Sequence, residues 1–432
     1  GEIGYDSNYF QGSGEVTPQG QAVTIAPEYQ PVTAAGASFG AAGRFNEPTI
    51  GSLRFRLTPS LTLKTLGAQR SGQDGGASAS PKLNLQADLS ASYNELIGLD
   101  GEYGGDVSGQ RYLSADLGVV ADILPGQEWG LGLNGAYNRS VQPVNDPSAP
   151  PAFDRSSFRL GAALKWRPGG GLIDWSLGYQ LTYVLFENSL FSNFSSVYHG
   201  FTLNGRWRFL PRTAAIYRGE MGFLVYPSSN GVTNDGEPVS SQLGLNGLIT
   251  SHFAATVIAG YKVLFFEQGD EFDSVVGNAE LTWYPLPRPE LDPKAASVGL
   301  SSISLGYRRD GTQAYLGNYA VSDLIYAKGS YFVGGNVLLT LDASFDHLTR
   351  PESFFSNDTR QSVAFSDNRF NMTAFGEYRT SDSLALNATL RYSAALTARP
   401  VPVSSDVREV PLAYDDLGFD RFELWLGVRW FL

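Results

Sequence analysis

The stretch that decides the fold is residues 53–64, LRFRLTPSLTLK, in which apolar residues or proline occupy every odd position and polar residues every even one. Successive side chains of a strand point to opposite faces, so a period of two residues predicts a β-strand with one apolar and one polar face. Pro59 lies inside this strand and has no amide hydrogen to donate to a neighbouring strand. We therefore expect a local irregularity at Pro59.

The same alternation returns along the whole chain, for example in residues 83–94, LNLQADLSASYN, and 158–167, FRLGAALKWR. Segments of this kind predict eighteen strands, at 2–10, 51–67, 82–97, 111–124, 128–142, 156–168, 171–187, 196–210, 212–227, 240–250, 252–267, 273–286, 297–309, 317–332, 336–349, 368–380, 383–397 and 420–432. Short turns and longer loops alternate between them. That alternation is typical of an up-and-down barrel in a bacterial outer membrane.

The composition excludes several classes of protein. The 432 residues include 49 Gly, 26 Phe, 22 Tyr and 7 Trp, whereas charged residues make up 17% and Cys is absent. A disulfide framework is therefore excluded, and 2 Met with 3 His leave little material for a metal or redox centre. The net charge of −12 argues against a nucleic-acid partner. We expect no cofactor and no metal.

The charged positions decide which face of the strands meets water. Arg206 and Arg208 flank Trp207, and many strands repeat this arrangement, so the polar face carries more charge than a dry core can hold. The sequence contains no run of about 18 apolar residues, so it predicts no transmembrane helix. No signal peptide is visible at Gly1, so we expect an exported chain to begin at Gly1 only after processing.

The consistent arrangement places apolar side chains against lipid and polar side chains around a water-filled lumen. We therefore predict an all-β fold: a closed, up-and-down, antiparallel transmembrane β-barrel of about 18 strands. Residues 1–432 would form this single domain in the bacterial outer membrane, with outer-membrane lipid as its surroundings.

Aromatic residues near the strand ends favour the same arrangement, because membrane barrels carry an aromatic girdle at each interface. The girdle expected at the periplasmic ends comprises Trp129, Trp166, Trp207, Phe209, Trp283 and Trp430. The girdle expected at the outer ends comprises Tyr93, Tyr137, Tyr183, Tyr261, Phe265 and Phe345.

Two short motifs resemble a known family. Residues 4–10, GYDSNYF, and 56–61, RLTPSL, resemble the first two strands of the outer-membrane β-barrel porins that are often encoded with exopolysaccharide synthesis and export genes. The motifs cover two strands, and the remainder of the chain is similar only in architecture. The resemblance implies a polysaccharide conduit or a porin. Residues 422–432, FELWLGVRWFL, also resemble the C-terminal signal by which outer-membrane barrels are recognised for insertion.

Several connectors carry their own expectations. Residues 11–50, the longest outer loop, are too apolar for a freely solvated loop, so we expect them to pack as a lumen constriction or over the mouth. Residues 398–419 form a second long outer loop, and 68–81 a flexible periplasmic turn. The turn at 287–293, PRPELDP, has two interpretations: a rigid hairpin cap, which we favour, or a contact for a periplasmic export partner.

We expect no enzymatic activity and no catalytic residue. A hydrolytic dyad needs a histidine within hydrogen-bonding reach of Ser or Asp. The three histidines, His199, His252 and His347, are dispersed along the chain, and only His347 directly follows an acid, Asp346.

The charges predicted to face the lumen form a pattern. Six lie on neighbouring strands and form a basic arc: Arg159, Lys165, Arg167, Arg206, Arg208 and Arg218. Other expected lumen charges are Arg54, Arg56, Lys64, Asp88, Asp116 and Asp122. A basic arc that faces acids across water would create a transverse field that favours anions. The alternative is that these charges pair with neighbours and only keep the lumen wet.

The sequence thus predicts an outer-membrane channel for polar solutes that are anionic or contain sugars, and the family resemblance implies polysaccharide export. Two alternatives stay open. One is a general diffusion porin. The other is a structural or docking barrel that residues 11–50 plug and whose loops bind partners.

Overall fold

The structure is a computed structural model. It describes residues 2–6, 14–16, 22–24, 52–57, 59–64, 83–99, 111–125, 127–140, 155–187, 192, 194–228, 234–285, 301–314, 318–333, 336–351, 365–381, 383–396, 400–402, 414–416 and 419–430. The expectations for 11–50, 68–81, 287–293 and 398–419 therefore fall largely or wholly outside the described residues.

The described part of the chain is all-β, as the alternation predicts. Its first strands are β1 (Glu2–Asp6), β2 (Gly14–Val16), β3 (Ala22–Thr24), β4 (Ser52–Leu57), β5 (Ser60–Lys64), β6 (Leu83–Gly98), β7 (Arg111–Ile123), β8 (Trp129–Ser140), β9 (Arg155–Trp166), β10 (Ile173–Phe186), β11 (Ser196–Leu210) and β12 (Thr213–Val225). They are followed by β13 (Gly236–Leu248), β14 (Phe253–Phe266), β15 (Phe272–Trp283), β16 (Ser302–Gln313), β17 (Tyr319–Val333), β18 (Val337–Arg350), β19 (Phe365–Ser381), β20 (Leu384–Ala395), β21 (Pro400–Pro402), β22 (Tyr414–Asp416) and β23 (Phe419–Trp430).

The long strands pair in chain order, and every pairing is antiparallel. Each strand from β6 to β19 pairs with the next one along the chain. β20 pairs with β23, and β1 pairs with both β23 and β4. Both β4 and β5 pair with β6, whereas β2–β3 and β21–β22 form two small separate sheets. The antiparallel class is confirmed, while closure and strand number stay predictions.

The interruption expected at Pro59 is present. β4 ends at Leu57 and β5 begins at Ser60, and both strands continue along the same neighbour, β6. The Pro59 carbonyl still accepts a hydrogen bond of 3.2 Å from the Ala91 amide. Pro59 therefore removes one backbone hydrogen-bond donor without ending the pairing with β6.

Exposure follows the two-residue period along the long strands. On one side of the sheet, which we call the apolar face, large hydrophobic side chains are exposed, including Leu160 at 60%, Leu243 at 66% and Val275 at 61%. The opposite side, the polar face, carries most of the charged side chains. Of the described residues, none lies in a helix long and apolar enough to cross a membrane.

Two strands begin or end away from their predicted positions. β13 begins at Gly236, because residues 236–239, GEPV, pair with the end of β14 although Gly and Pro are typical of turns. β16 spans Ser302–Gln313 where the sequence predicts 297–309, because the polar residues 310–313 pair with the start of β17. In both strands, pairing overrides the local sequence preference.

Glycines on the polar face accommodate large aromatic rings. Tyr198 on β11 is 3% exposed, and its hydroxyl donates a 2.7 Å hydrogen bond to Glu220 on β12. A Cβ atom added to Gly222 would lie 2.5 Å from the Tyr198 ring, and one added to Gly200 would lie 2.8 Å from it. The ring occupies space that only glycine leaves free.

We predict that Gly222→Ala destabilises the protein by roughly 1–3 kcal/mol, because overpacking displaces the Tyr198 ring and weakens its bond to Glu220. The effect is measured as the free energy of unfolding in urea. The folded fraction is determined from the band of folded protein in gel electrophoresis of unheated samples. Gly118→Ala on β7 is the matched control, since its added Cβ meets nothing within 4 Å. Equal stability of the two variants would contradict the packing role of Gly222.

Candidate functional site

The polar face is the candidate functional site, and its charged side chains fall into two groups. The members of one group are exposed and lie on β11, β12 and β16 to β18: Arg206, Arg208, Arg218, Arg308, Lys328 and Asp342. The members of the other group are buried and lie on β19 and β23: Asp367, Arg369, Glu377, Arg421 and Glu423. We call the strands of the first group the exposed wall of the polar face and those of the second group the covered wall, although the Arg379 and Arg429 side chains on the covered wall are half-exposed.

Half of the predicted basic arc is tied to carboxylates. Lys165 on β9 lies 2.5 Å from Asp122 on β7, two strands away. It passes over Gly132 of the intervening β8, where an added Cβ would lie 3.1 Å from the Lys165 ammonium. Arg167 and Arg206 share Asp174, each at 3.4 Å. Asp122 is therefore bound to the arc and does not face it across water, contrary to the expectation from the sequence.

The other half of the arc is different. Arg208 and Arg218 are exposed, and across the described residues no carboxylate lies within ion-pairing distance of either. Arg159 is half-buried at its position opposite Thr182. The arc thus combines one neutral pair, two arginines that share a carboxylate, and two cations that form no ion pair within the described residues.

The remaining predicted charges are held locally or lie outside what is described. Asp88 accepts a 2.7 Å hydrogen bond from the Gln86 amide. Asp116 accepts hydrogen bonds from the Asn138 amide and, at 3.5 Å, from the Ser90 hydroxyl. For Arg54, Arg56 and Lys64 the described part is the backbone in β4 and β5, and their side chains lie outside it.

The covered wall contains a network of ion pairs. Glu377, 2% exposed, binds Arg429 at 2.7 Å and Arg379 at 3.2 Å. Asp367 binds Arg369 at 2.6 Å, and Arg421 binds Glu423 at 2.7 Å. Glu423 also accepts a 2.9 Å hydrogen bond from the indole of Trp425, a side chain only 2% exposed. Each of these three acids therefore has an arginine partner, and Glu377 is shared by two arginines.

The exposed wall contains a pocket of 510 Å³ between β15 and β19, a site that was not predicted from the sequence. Arg308, Lys328 and Asp342 line it together with the amides of Asn278 and Asn371. The alternation places these residues on the polar face of neighbouring strands, and that was the available signal. The alternation does not indicate the register of strand pairing, and it is this register that brings the lining residues together.

The apolar face carries a row of four tyrosines whose hydroxyl groups are hydrogen-bonded to side chains on neighbouring strands. Tyr137 bonds to Ser156 at 3.3 Å, Tyr179 to His199 at 2.8 Å, and Tyr217 to Ser241 at 3.2 Å; Tyr307 donates to Asp323 at 2.5 Å. His199 thus serves as a hydrogen-bond partner on the apolar face. Such amphipathic rings suit a boundary between hydrocarbon and water.

An ion pair lies just beyond this row. Arg139 binds both carboxylate oxygens of Glu187 at 2.8 Å. The hydrogen bond from Arg139 lowers the pKa of the Glu187 carboxyl, and its positive charge acts in the same direction, against the opposing effect of burial. Glu187 therefore stays ionised over the whole neutral range and keeps this pair intact.

No family model and no curated protein matches the chain. Solved structures of similar shape include the FrpB iron transporter from Neisseria meningitidis (F3-3 variant), with 9% identity, a TM-score of 0.46, and coverage of 97% of this chain and 90% of that one. The ferric yersiniabactin uptake receptor FyuA from Yersinia pestis has 10% identity, a TM-score of 0.39 and coverages of 91% and 79%. A bacterial polysaccharide outer membrane secretin has 10% identity, a TM-score of 0.34 and coverages of 100% and 97%.

Proposed function

We propose that the chain forms a closed barrel of eighteen strands in the bacterial outer membrane, with the polar face lining a lumen. Pairing of β1 with β23 on one edge and with β4 on the other supports closure. The number eighteen counts β4 and β5 as one interrupted strand and leaves out β2, β3, β21 and β22. Closure gives every backbone donor and acceptor a partner, which a strand in hydrocarbon requires.

The apolar face supports the location. Leucines, valines and aromatic residues are exposed along nearly every long strand, which a soluble monomer does not tolerate over so large an area. The stacked pair Trp129–Trp166, with ring centroids 5.9 Å apart, lies at the end with short turns, and Tyr137 lies toward the opposite end of β8. Two aromatic boundaries with an apolar band between them fit a lipid bilayer.

The proposed function is an outer-membrane channel for polar solutes with a preference for anions. One observation carries this proposal: Arg208 and Arg218 are exposed on the polar face with no carboxylate beside them in the described part of the chain. Fixed cations along an aqueous path raise the local concentration of anions. Polysaccharide export, with a periplasmic export partner, is the narrower form of the proposal and rests on the motif resemblance. The chain itself carries out no covalent chemistry.

A specific observation also favours a second candidate, a partly filled barrel that serves for docking. Trp425 and Glu377 lie on the polar face yet are each 2% exposed. Side chains on an open lumen wall would meet water, so this wall is covered on its inner side. An open channel and a filled barrel differ in ion conductance, because an eighteen-stranded barrel leaves an aqueous passage unless something fills it.

The orientation of the sheet gives a first prediction. Leu243→Arg on the apolar face, in the middle of β13, should destabilise the protein by about 2–4 kcal/mol, because it places a charge in lipid. Gln242→Arg, the neighbour on the polar face, should fold nearly as well as the parent. Unfolding in urea from lipid vesicles measures both. Equal losses would mean that the assignment of the two faces is wrong.

Ion selectivity gives a second prediction. The double variant Arg208→Ser, Arg218→Ser should shift the reversal potential in planar bilayers toward cations, most strongly at low salt, where screening is weak. The double variant Asp122→Ser, Lys165→Ser removes one neutral pair and should leave the reversal potential unchanged. An open pore with the same selectivity in both variants would contradict the anion preference. A protein that folds but conducts no ions would favour the filled barrel.

A further inference from the structure

The pocket lined by strands β15 to β19 contains two cations that form no ion pair within the described residues. Arg308 and Lys328 both line its 510 Å³, and both are exposed. Over the described residues neither makes an ion pair. This differs from Lys165, Arg167, Lys262 and Arg429 elsewhere on the same face, each of which binds a carboxylate. Two unpaired cations in one concave site favour an anionic ligand.

The position of Lys328 is set by an aromatic ring and not by the nearest acid. Lys328 lies directly opposite Asp342 in the register of β17 and β18. Both residues belong to the described part of the chain, yet they form no ion pair with each other. The ammonium instead lies 5.1 Å from the centroid of the Tyr326 ring, at a distance typical of a cation–π contact. The ammonium therefore stays available to a ligand.

The Tyr326 ring is itself held in place. Its hydroxyl donates a 2.7 Å hydrogen bond to Glu280, and Asn278 lies 3.2 Å from the same oxygen. Across the intervening β16, Gly306 leaves the space that the ring fills, since an added Cβ would lie 2.3 Å from it. The support beneath Lys328 is therefore rigid, which lowers the entropic cost of binding.

The other polar residues that line the pocket can form hydrogen bonds with hydroxyl groups. Asn278 and Asn371 offer amide donors and acceptors, Ser344 and Thr373 offer hydroxyls, and the exposed Asp342 offers acceptor oxygens. Anions without an O–H group, such as chloride and sulfate, have no donor for these acceptors, whereas each sugar hydroxyl has one. The volume falls within the range of about 300–1,000 Å³ that small-molecule sites occupy.

We propose that this pocket is a binding subsite for a polyhydroxylated carboxylate, that is, a sugar acid such as a hexuronate. The carboxylate binds between Arg308 and Lys328, and the ring hydroxyls bind the asparagine amides and Asp342. This inference deepens the proposed channel function and rests on it for the supply of solute, but the subsite itself binds ligand without transport.

The test is isothermal calorimetry on the folded full chain in detergent at low salt. D-glucuronate, D-glucose and inorganic phosphate serve as probes. We expect glucuronate to bind at least tenfold more tightly than either glucose, which lacks the carboxylate, or phosphate, which lacks the hydroxyl pattern. Phosphate binding as tight as that of glucuronate would reduce the pocket to a simple anion site and overturn the proposal. Failure of glucuronate to bind would overturn it as well.

Variants locate the binding. Lys328→Gln and Arg308→Gln should each weaken glucuronate binding at least tenfold and leave the weak glucose binding unchanged. Arg212→Gln, an exposed position in the turn between β11 and β12, removes one positive charge away from the pocket and should bind as the parent does. Unchanged affinity in both pocket variants would overturn the proposal. The comparison of probes on the parent protein needs no variant, so the test stands even if a variant fails to fold.

Conductance of the same preparation separates this proposal from the channel itself. An anion-selective pore that does not bind glucuronate would refute the subsite and leave the channel. Glucuronate binding to a protein that conducts no ions would refute the channel and leave the subsite.

Discussion

The interaction on which the structure depends is the antiparallel pairing of each long strand with a strand on both of its edges. In the lipid environment that we propose, no water is available to an unpaired backbone group. A short strand of the main sheet illustrates the pairing: β1 has five residues, and all five pair with β23 on one side and with β4 on the other. Pro59 has no amide donor, yet its own carbonyl still accepts a hydrogen bond from β6. The alternation of side chains, and with it the two faces, follows from this pairing.

Because the backbone N–H and C=O groups of the long strands are used in pairing, contacts on the polar face are made by long side chains. Many of these side chains reach past the adjacent strand. Lys165 crosses Gly132 to reach Asp122, and Tyr326 crosses Gly306 to reach Glu280. In both cases the intervening strand carries a glycine, so the crossing side chain can lie flat against the wall. Small residues on one strand thus determine which charges on the two strands beside it can meet. This explains why the Lys165–Asp122 pair follows the register of the sheet and not the order of the sequence.

The strands could be predicted from the sequence because their signal is local. Every long strand overlaps a segment of alternating residues, and the irregularity at Pro59 followed from one residue type. The ends of β13 and β16 could not be predicted, since GEPV and the polar residues 310–313 become strand only through their partners. The pairing of Asp122 with Lys165 and the pocket at Arg308 and Lys328 depend on register across three or more strands. Periodicity identifies the face on which a residue lies but not its neighbours on that face.

The two walls of the polar face therefore differ in how far their charges are paired. On β19 and β23 the acids Asp367, Glu377 and Glu423 are buried against arginines, and a tight ion pair has little field beyond its own length, although Arg379 and Arg429 share the single carboxylate of Glu377. On β11, β12, β16 and β17 the cations Arg208, Arg218, Arg308 and Lys328 are exposed and form no ion pair within the described residues. The net charge of −12 for the chain does not describe this wall, because the interaction with a solute depends on nearby uncompensated charges and is screened beyond about 10 Å. The anion preference that we propose for the channel is thus physically consistent with an acidic chain.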